Sequence, residues 1–560
     1  MLTAGELAEL TLFSSLSDAA LRDLSKAAAD IHLEPGDYAV HEGDEPALYV
    51  VLSGQVDITK LIDGVEKTIG KRLPGVVFGE IPLVYGTPFQ SSARAAVRTR
   101  ILRLAPRQYH AVAAASPEIA RTIAELAKER MSGLQGIAAM SHGTQVMVVG
   151  RDWDPASSDL RRFLSRNQVA FDWLTPDDPQ LTARWIDPPV GECPAVRLPD
   201  GTTLVRPDLR TLARSLHLDT QPRESEYDTV IVGAGPAGLA AAVYGASEGL
   251  RTLVVEREAP GGQAGTSSRI ENYLGFPNGI SGDELASRAL RQAKRLGAEI
   301  LITRSVAGID LASRSVILDG GDSVRTRSMI LATGVNWRRV PIEGFDRLIG
   351  KGIYYGAARS EAGVTQGLDV HLIGAGNSAG QAAMFFANHA RTVTLLVRGD
   401  SLEKSMSQYL IDQIRRKANI KVALRSEVQA VHGSHHLEGI DIVDHDAKVQ
   451  RREESGGLFV FIGADAETDW LPDDIARDQR GYILTGNDLL KEPGWSERWF
   501  LTQGFTESYR QPFMLETSVP GIFAAGDVRR STIKRCASAV GEGSMAIAFT
   551  HQYFQLSANA

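Results

Sequence analysis

The chain has 560 residues, with 60 Lys and Arg against 68 Asp and Glu and a formal net charge of −8. This length predicts roughly three or four folding units, and the mildly acidic balance argues against a nucleic-acid binder. Hydrophobic residues make up 43% and charged residues 23%, which excludes wholesale disorder. No apolar run reaches the roughly 18 residues that a membrane-spanning helix needs, and the N-terminus has no secretory pattern. Two cysteines, Cys193 and Cys536, exclude a disulfide framework and a cysteine-based zinc site.

The first 220 residues divide into two small regions. Residues 1–105 are predicted to form short strands separated by Gly-Asp turns, and residues 106–138 to form helix. Residues 144–220 predict a compact unit that mixes strands and helices. Its predicted elements are a strand at 145–150, a helix at 157–167, a strand at 169–174, a hairpin at 193–206 and a helix at 207–218.

From residue 227 onward, strands and helices alternate twice over at the spacing of parallel βαβ units, which predicts two Rossmann-like three-layer domains. In the first, a glycine motif follows an apolar strand and opens a helix. Gly233 permits a tight turn, Gly235 admits a pyrophosphate and Gly238 lets the helix pack on the strand. Glu256 ends the next strand, where a carboxylate accepts hydrogen bonds from ribose hydroxyls. The predicted nucleotide-binding residues are Gly233, Gly235, Pro236, Ala237, Gly238 and Glu256.

A second motif of this kind lies within residues 369–399, with alanine in place of the third glycine. The strand after it ends in Arg398 rather than in an acid. A guanidinium suits the 2′-phosphate of NADP, since a charged hydrogen bond is worth about 1.5–3 kcal/mol. The motif therefore favours NADPH over NADH, although a solvated surface arginine remains the alternative. The predicted residues are Gly374, Gly376, Asn377, Ser378, Ala379 and Arg398.

Two dinucleotide sites in one chain need a chemical link between them. The economical pairing is FAD held tightly in the first site and an exchangeable NADPH in the second, with hydride passing to the flavin.

Further motifs give the region 227–560 a clear resemblance to low-molecular-weight thioredoxin reductase. They lie at 261–263, 269–285, 332–334 and 521–548. The resemblance implies FAD, NADPH and a homodimer, with an NADPH domain (344–463) inserted into a split FAD domain (223–343 and 464–560). The flavin-site residues that it implies are Gly261, Gly262, Gln263, Asn272, Ala332, Thr333, Gly334, Gly526, Asp527, Arg535, Cys536 and Ala537.

The sequence departs from that family at the redox centre. Gly356 and Arg359 stand where the two cysteines of the family's CxxC motif would fall, and neither can form a thiolate. Arg535 stands where the family has a glutamine beside the flavin pyrimidine. Of the three basic residues that usually hold the NADPH phosphate, only Arg398 is kept, and Lys404 is a candidate substitute. Dithiol chemistry is therefore not expected, and no catalytic side chain is assigned.

Residues 141–222 resemble a glutaredoxin or thioredoxin fold, because Cys193-Pro194 precedes a strand where that fold carries a cis-proline. The turn at 152–159, where its active-site cysteines would lie, contains none. The order of the two regions is similar to that of the flavoprotein subunit of alkyl hydroperoxide reductase. This unit is therefore expected to be structural or to form a docking surface.

Residues 1–140 resemble a cyclic nucleotide-binding domain, a β-roll with a C-terminal helix. The resemblance implies that Gly79 and Glu80 begin a phosphate-binding cassette, with Glu80 accepting from the ribose 2′-hydroxyl. Phe89 occupies the place of the arginine that neutralises the cyclic phosphate, and Arg94 is expected to face elsewhere. High affinity for a cyclic nucleotide is therefore not expected, and a degenerate regulatory or dimerisation domain remains the alternative.

These observations favour an enzyme: a cytoplasmic, NADPH-dependent, FAD-containing oxidoreductase of thioredoxin-reductase type. Its acceptor stays open among a quinone, a ferredoxin or flavodoxin, oxygen and an external disulfide. Two other functions remain, a redox sensor of low turnover that binds a protein partner and an activity like that of ferredoxin/flavodoxin–NADP reductase. No metal, nucleic acid or membrane is expected as a partner.

Overall fold

The computed structural model describes residues 2–62, 65–140, 146–152, 154–267, 269–277, 279–356, 365–495, 499 and 510–558. The chain divides into two compact units, Met1–Gly143 and Thr144–Ala560. Within the described residues, no helix combines the length and apolarity needed to cross a bilayer, and no group of three His, Cys, Asp or Glu could hold a metal ion.

Two antiparallel four-stranded sheets form the first unit. Their strands are β1 Ala29–Leu33, β2 Tyr38–Val40, β3 Leu48–Ser53, β4 Val56–Ile62, β5 Val65–Arg72, β6 Val77–Phe78, β7 Ser92–Ala95 and β8 Thr99–Leu104. Neighbours follow the order β1-β8-β3-β6 in one sheet and β2-β7-β4-β5 in the other. Apolar side chains from both sheets are buried, among them Leu48 and Phe78 of the first sheet and Val56 of the second. The predicted β-roll is confirmed.

Helices precede and follow these strands: α1 Ala4–Ala8, α2 Asp18–Ala27, α3 Glu80–Tyr85, α4 Pro106–Ala115 and α5 Pro117–Met140. The prediction of strands from residue 1 was wrong for the first 27 residues, because local capping there favours helix. Thr3 and Glu6 form a capping box at α1, and the Ser17 hydroxyl accepts the Ala20 N–H at α2.

The second unit begins with a four-stranded sheet of its own. The elements are β9 Val146–Val149, α6 Pro155–Arg166, β10 Phe171–Leu174, α7 Leu181–Arg184, β11 Ala195–Arg197, β12 Thr203–Val205 and α8 Leu209–Ser215. The sheet order is β10-β9-β11-β12, with β9 and β10 parallel and the other pairs antiparallel. The Cys193–Pro194 peptide bond is cis. The glutaredoxin-like assignment of this segment stays a prediction.

The next sheet carries the first glycine motif. Its elements are β13 Glu226–Val232, α9 Pro236–Ser247, β14 Thr252–Val255, α10 Gly282–Leu296, β15 Glu299–Leu301, β16 Val306–Asp310, β17 Ser315–Leu318, β18 Ser323–Leu331, and, after a long excursion, β29 Ile522–Ala524 and α13 Cys536–Ala558. The order is β15-β14-β13-β18-β17-β16, and β29 pairs with β18. Strands β15, β14, β13, β18 and β29 are parallel.

The excursion forms a second parallel sheet. It contains β19 Asn336–Trp337, β20 Ile353–Tyr355, β21 Asp369–Ile373, α11 Asn377–Phe386, β22 Thr392–Val397, α12 Gln408–Arg416, β23 Ile420–Leu424, β24 Ser426–His432, β25 Gly439–Asp444, β26 Val449–Glu454, β27 Gly457–Val460 and β28 Ala464–Asp465. The parallel order is β20-β27-β21-β22-β23, and β24-β25-β26 form an antiparallel sheet. Strands β19 and β28 pair antiparallel, so the chain enters and leaves this domain side by side.

Candidate functional site

One cavity of about 920 Å³ collects residues from both glycine motifs. Its wall combines the turn after β13, the end of β14, the loop after β18, the start of α11 and the start of α13. The predicted residues that line it are Gly233, Gly235, Pro236, Ala237, Glu256, Gly262, Gln263, Ala332, Thr333, Gly334, Gly356, Ser378, Gly526, Asp527, Arg535 and Cys536. The first glycine turn and the start of α11, which follows the second glycine turn, therefore border a common space.

The remaining predicted cofactor-site residues lie outside the cavity wall, in three different settings. Gly238 and Ala379 are buried where each helix packs on its sheet, whereas Asn272, Arg398 and Ala537 are exposed. Gly261, Gly374, Gly376 and Asn377 shape the turns behind the wall, and Arg359 falls outside the described residues.

Steric demands explain the first glycine motif. Gly233 has φ +102°, and a Cβ there would stand 2.5 Å from the Ala332 carbonyl oxygen. A Cβ on Gly238 would stand 1.8 Å from the Gly233 oxygen. A Cβ added to Gly235 would meet no atom nearer than the Gly262 Cα at 4.0 Å, so the missing side chain leaves space at the start of α9. Free N–H groups of a helix N-terminus bind phosphate, and the residues here fit a dinucleotide diphosphate.

Glu256 provides a buried carboxylate beside that turn. It is 8% exposed and accepts the Ala234 N–H at 2.8 Å and the Glu258 N–H at 2.9 Å. Burial raises the pKa of its carboxyl group, and the two backbone N–H groups act in the opposite direction. Carboxylate oxygens have further lone pairs, so Glu256 fits the ribose hydroxyls of the same nucleotide.

The loop that follows Glu256 is fixed to the glycine turn. The Gly261 N–H donates to the Ala234 carbonyl at 2.7 Å. Gly261 and Gly262 have φ of +108° and +54°, and a Cβ on Gly262 would approach the Gly235 Cα to 3.1 Å. The Gln263 amide donates to the Val335 carbonyl at 2.6 Å. This loop thus forms one wall of the cavity.

The C-terminal motif, within residues 521–548, forms another part of the cavity wall. The Gly526 N–H donates to Glu542 at 2.6 Å, and Glu542 pairs with Arg529 at 2.6 Å. Burial raises the pKa of Asp527, and the Lys534 cation opposes this shift. Arg535 is exposed just before α13, which starts at Cys536.

The second glycine motif has the same steric logic. Gly374 has φ +145°, and a Cβ there would stand 2.6 Å from the Phe461 carbonyl oxygen. Gly376 precedes α11, and a Cβ on it would meet nothing within 4 Å. The Asn377 side chain accepts the Ser407 N–H at 2.7 Å and so ties this turn to the 400–407 loop. The turn fits a second dinucleotide.

Few cations surround the expected 2′-phosphate position. Arg398 is exposed directly after β22. Lys404 already donates to Asp400 at 2.7 Å, and Glu403 accepts from Arg415 at 2.7 Å. Of the basic residues Arg398, Lys404 and Arg415, Arg398 is therefore the one best placed to bind an added phosphate.

Neither cysteine is arranged for dithiol chemistry. Gly356 has φ +83° and lies near Thr266, whose Oγ1 would be 3.3 Å from an added Cβ. Burial, followed by the nearby Asp527 charge, raises the pKa of Cys536 to about 11. Cys193 is buried in the 146–215 sheet region, its thiol donates to Val190 at 3.4 Å, and burial raises its pKa as well. Both are free thiols.

In the N-terminal unit, the key residues of the predicted phosphate-binding cassette are buried. Gly79 has φ +87° and begins α3. Glu80 is 3% exposed and pairs with Arg130 of α5 at 3.1 Å, although its second carboxylate oxygen has no hydrogen-bond partner among the described residues. Phe89 is buried against Tyr49.

Arg94 pairs with Glu66 at 3.0 Å, away from Glu80. Arg130 was missed by sequence reasoning, because only the fold brings α5 to the cassette.

The cavity also has a wall that the sequence did not reveal. Helix α6 contributes Pro155, Ser158, Asp159, Arg162 and Arg166. Residues 146–215, which form the β9–β12 sheet with helices α6 to α8, are called the 146–215 unit below. Nothing in the spacing of the α6 residues signals that this unit packs beside a nucleotide turn.

Comparison with known proteins agrees with this architecture. The family model for pyridine nucleotide-disulphide oxidoreductases matches residues 227–492, and that for the cyclic nucleotide-binding domain matches residues 30–116. The 34.2 kDa protein in the rubredoxin operon of Clostridium pasteurianum is 32% identical over 59% of this chain and 98% of its own length. Thioredoxin reductase of Bacillus subtilis is 30% identical over 59% of this chain and 96% of its own. The crystal structure of Lactococcus lactis thioredoxin reductase covers 58% of this chain and 98% of its own, at 27% identity and a TM-score of 0.50.

The chain therefore belongs to the pyridine nucleotide-disulphide oxidoreductase family and is of the thioredoxin reductase-like type, with a cyclic nucleotide-binding domain in its N-terminal unit. It is a flavoprotein oxidoreductase that uses FAD and NADPH, as predicted. Neither family model reaches the unit at 146–215.

Proposed function

We propose that this protein passes electrons from NADPH through FAD to an acceptor outside the chain, without an internal disulfide. The observation that carries the proposal is the cavity bordered by the first glycine turn and the start of α11, in which Cys536 is the one cysteine among the lining residues. When bound, FAD accepts a hydride from NADPH and makes its electrons available to the acceptor.

The chain supplies binding and orientation rather than acid–base chemistry. The Gly233–Gly238 turn and the start of α9 would hold the FAD diphosphate, and Glu256 its ribose. The start of α11 and Arg398 would hold NADPH. Orientation of two reactants in one cavity is itself a large part of catalysis, so no nucleophile is needed.

The thiols support an external acceptor. A thiol with a pKa of about 11 is protonated at neutral pH, and a protonated thiol does not exchange with disulfides. Cys536 also has no second cysteine near it in the sequence. The other cysteine of the chain, Cys193, belongs to the region of another sheet. A quinone, a ferredoxin or flavodoxin, oxygen and an external disulfide that reacts at the flavin are the acceptor classes to be compared.

Anaerobic stopped-flow absorbance tests this function. NADPH should bleach the flavin within seconds, and a panel of the four acceptor classes should identify which one reoxidises it. The variant C193A/C536A should keep wild-type turnover, because neither thiol takes part. Bleaching slower than minutes would favour a sensor, and loss of turnover in the double variant would contradict the thiol-independent route.

We further propose that the protein is a cytoplasmic homodimer, in keeping with its thioredoxin reductase-like relatives and with a supply of NADPH inside the cell. The proposed domains are 1–140, 141–222 with a glutaredoxin-like fold, 223–343 with 464–560 for FAD, and 344–463 for NADPH. The 1–140 domain would act as a regulatory module with little affinity for cyclic nucleotides, since Phe89 replaces the phosphate-binding arginine.

A further inference from the structure

Helix α6 presents two different faces. Its apolar residues Leu160, Phe163 and Leu164 are buried in the core beneath the β9–β12 sheet. A polar face, at the helical spacing of three and four residues, lines the cavity that contains the first glycine turn. The residues on that face are Pro155, Ser158, Asp159, Arg162 and Arg166.

Arg166, the last residue of α6, holds the loop behind the glycine turn. Its Nη2 donates to the Ala259 carbonyl at 2.8 Å, to the Gly262 carbonyl at 3.2 Å and to the Pro260 carbonyl at 3.4 Å. Its Nη1 lies 3.5 Å from a Glu258 carboxylate oxygen. One side chain from the 146–215 unit thus spans the whole 258–262 loop.

That loop defines the space left for a dinucleotide. Gly262 approaches Gly235, and Gly261 and Glu258 are bonded to the backbone or side chains of the glycine turn and Glu256. Carbonyl oxygens carry partial negative charge, which would repel a diphosphate at short range. Because the Arg166 guanidinium binds three of these carbonyl oxygens, its positive charge offsets their partial negative charge.

The guanidinium lies near the acids Glu256 and Glu258, but its N–H donors are only partly paired. The Arg166 side chain is 12% exposed, whereas its acidic neighbour Glu258 is 58% exposed. The Arg166 Nε is buried with no hydrogen-bond partner among the described residues. Burial lowers the pKa of Arg166, which reflects the cost of its desolvation. A buried cation in a cavity wall is best stabilised by an anion that enters the cavity.

We propose that Arg166 is a positioning residue of the FAD site, which keeps the 258–262 loop in the FAD-binding conformation and offsets the charge of the diphosphate. The 146–215 unit would then be an essential part of the flavin site rather than an appended module. This inference rests on the proposed placement of FAD at the first glycine turn.

Titration of the full-length apoprotein with FAD, followed by flavin fluorescence, tests the inference. R166M keeps the aliphatic stem and removes the charge, and it should weaken FAD binding roughly 10- to 150-fold, the value of a charged hydrogen bond. R166K should recover part of this loss, because an ammonium keeps the charge but its single nitrogen cannot reach the carbonyls and Glu258 together. R162M is the matched control, since Arg162 lines the same cavity but is 39% exposed and paired with Asp159. It should change FAD affinity less than about threefold.

Thermal melting of the FAD-free proteins separates positioning from general stability. FAD-free R166M should melt below FAD-free wild type because the loop contacts are lost, and the gain in melting temperature on adding FAD should be smaller for R166M. An R166M affinity within threefold of wild type would overturn the proposal, as would an equal fall in stability with and without FAD. If wild-type apoprotein takes up no FAD, the flavin assignment itself fails together with the role of Arg166.

Discussion

We propose that Arg398 is the residue on which the choice between NADPH and NADH depends most directly. It is exposed after β22, where the second glycine motif predicts the coenzyme 2′-phosphate, and the neighbouring Lys404 already donates to Asp400. A guanidinium without a strong partner can form a new charged hydrogen bond at little cost. The coenzyme preference should therefore respond to this side chain far more than to its neighbours.

The variant R398A should lower kcat/KM for NADPH roughly 10- to 150-fold, since one charged hydrogen bond is lost. Its kcat/KM for NADH should stay within about threefold, because NADH lacks the phosphate. Steady-state kinetics with both coenzymes measures this, and K404A is the control, expected to change neither value more than about threefold. An equal loss with both coenzymes would show that Arg398 acts on the fold instead.

At the scale of elements, hydrogen bonds at the start of two neighbouring strands stabilise the sheet that carries the second glycine turn. Asp369 begins β21, and its carboxylate accepts from Arg391 at 2.9 and 2.6 Å and from Thr392 at 2.7 Å, at the start of β22. The Arg391 hydrogen bonds lower the pKa of Asp369 to about 2. These bonds join two parallel strands at the end opposite the glycine turn, and so stabilise the sheet that carries it.

The variant D369N should therefore destabilise this domain by about 1 kcal/mol at pH 7, after allowance for solvent screening of the exposed Arg391. A carboxyl whose folded pKa is depressed stabilises the fold above its unfolded pKa, near 3.8, and this contribution falls as pH drops toward 2. Urea denaturation should show a clear difference from wild type at pH 7 and a smaller one at pH 3. The control D400N alters an exposed pair and should show neither effect, whereas a D369N difference that stays constant with pH would contradict the argument.

At the scale of the whole molecule, a cyclic nucleotide-binding domain and a flavoprotein share one chain. The phosphate-binding cassette of the cyclic nucleotide-binding domain keeps Gly79 and Glu80. Arg130, however, already pairs with Glu80, and Phe89 fills the place of the expected cation. A cyclic phosphate buried there would lack its neutralising charge. A nucleotide signal through this domain is therefore not expected under ordinary conditions.

Adding 1 mM cyclic AMP, far above about micromolar signalling affinities, should shift neither the melting temperature of the full chain nor its NADPH turnover. A ligand bound to the folded state would raise the melting temperature by mass action. The variant F89R supplies the missing cation and should bind roughly 10- to 150-fold more tightly than wild type. Tight binding by wild type, measured by calorimetry, would contradict this reading of Phe89.

Local sequence was enough to identify both glycine turns, Glu256, the β-roll and the absence of a CxxC. Each of these depends on steric or chemical demands at neighbouring positions, such as the left-handed φ of Gly233 and the close approach of Gly238 to its carbonyl. The helices of the first 27 residues were missed because hydrophobic alternation outweighed the caps at Thr3 and Ser17. The need to link two dinucleotide sites led to FAD and NADPH, and the resemblance of the further motifs to thioredoxin reductase led to the family.

Only the tertiary structure brought distant segments together. It placed the first glycine turn and the start of α11 around one cavity, set Arg130 of α5 against Glu80, and brought Arg166 of α6 onto the loop at 258–262. These segments are about 50 to 150 positions apart in the sequence, and side-chain spacing does not indicate which surfaces pack together. The sequence determined which chemistry each motif can perform, whereas packing between units decided which side chains share a site.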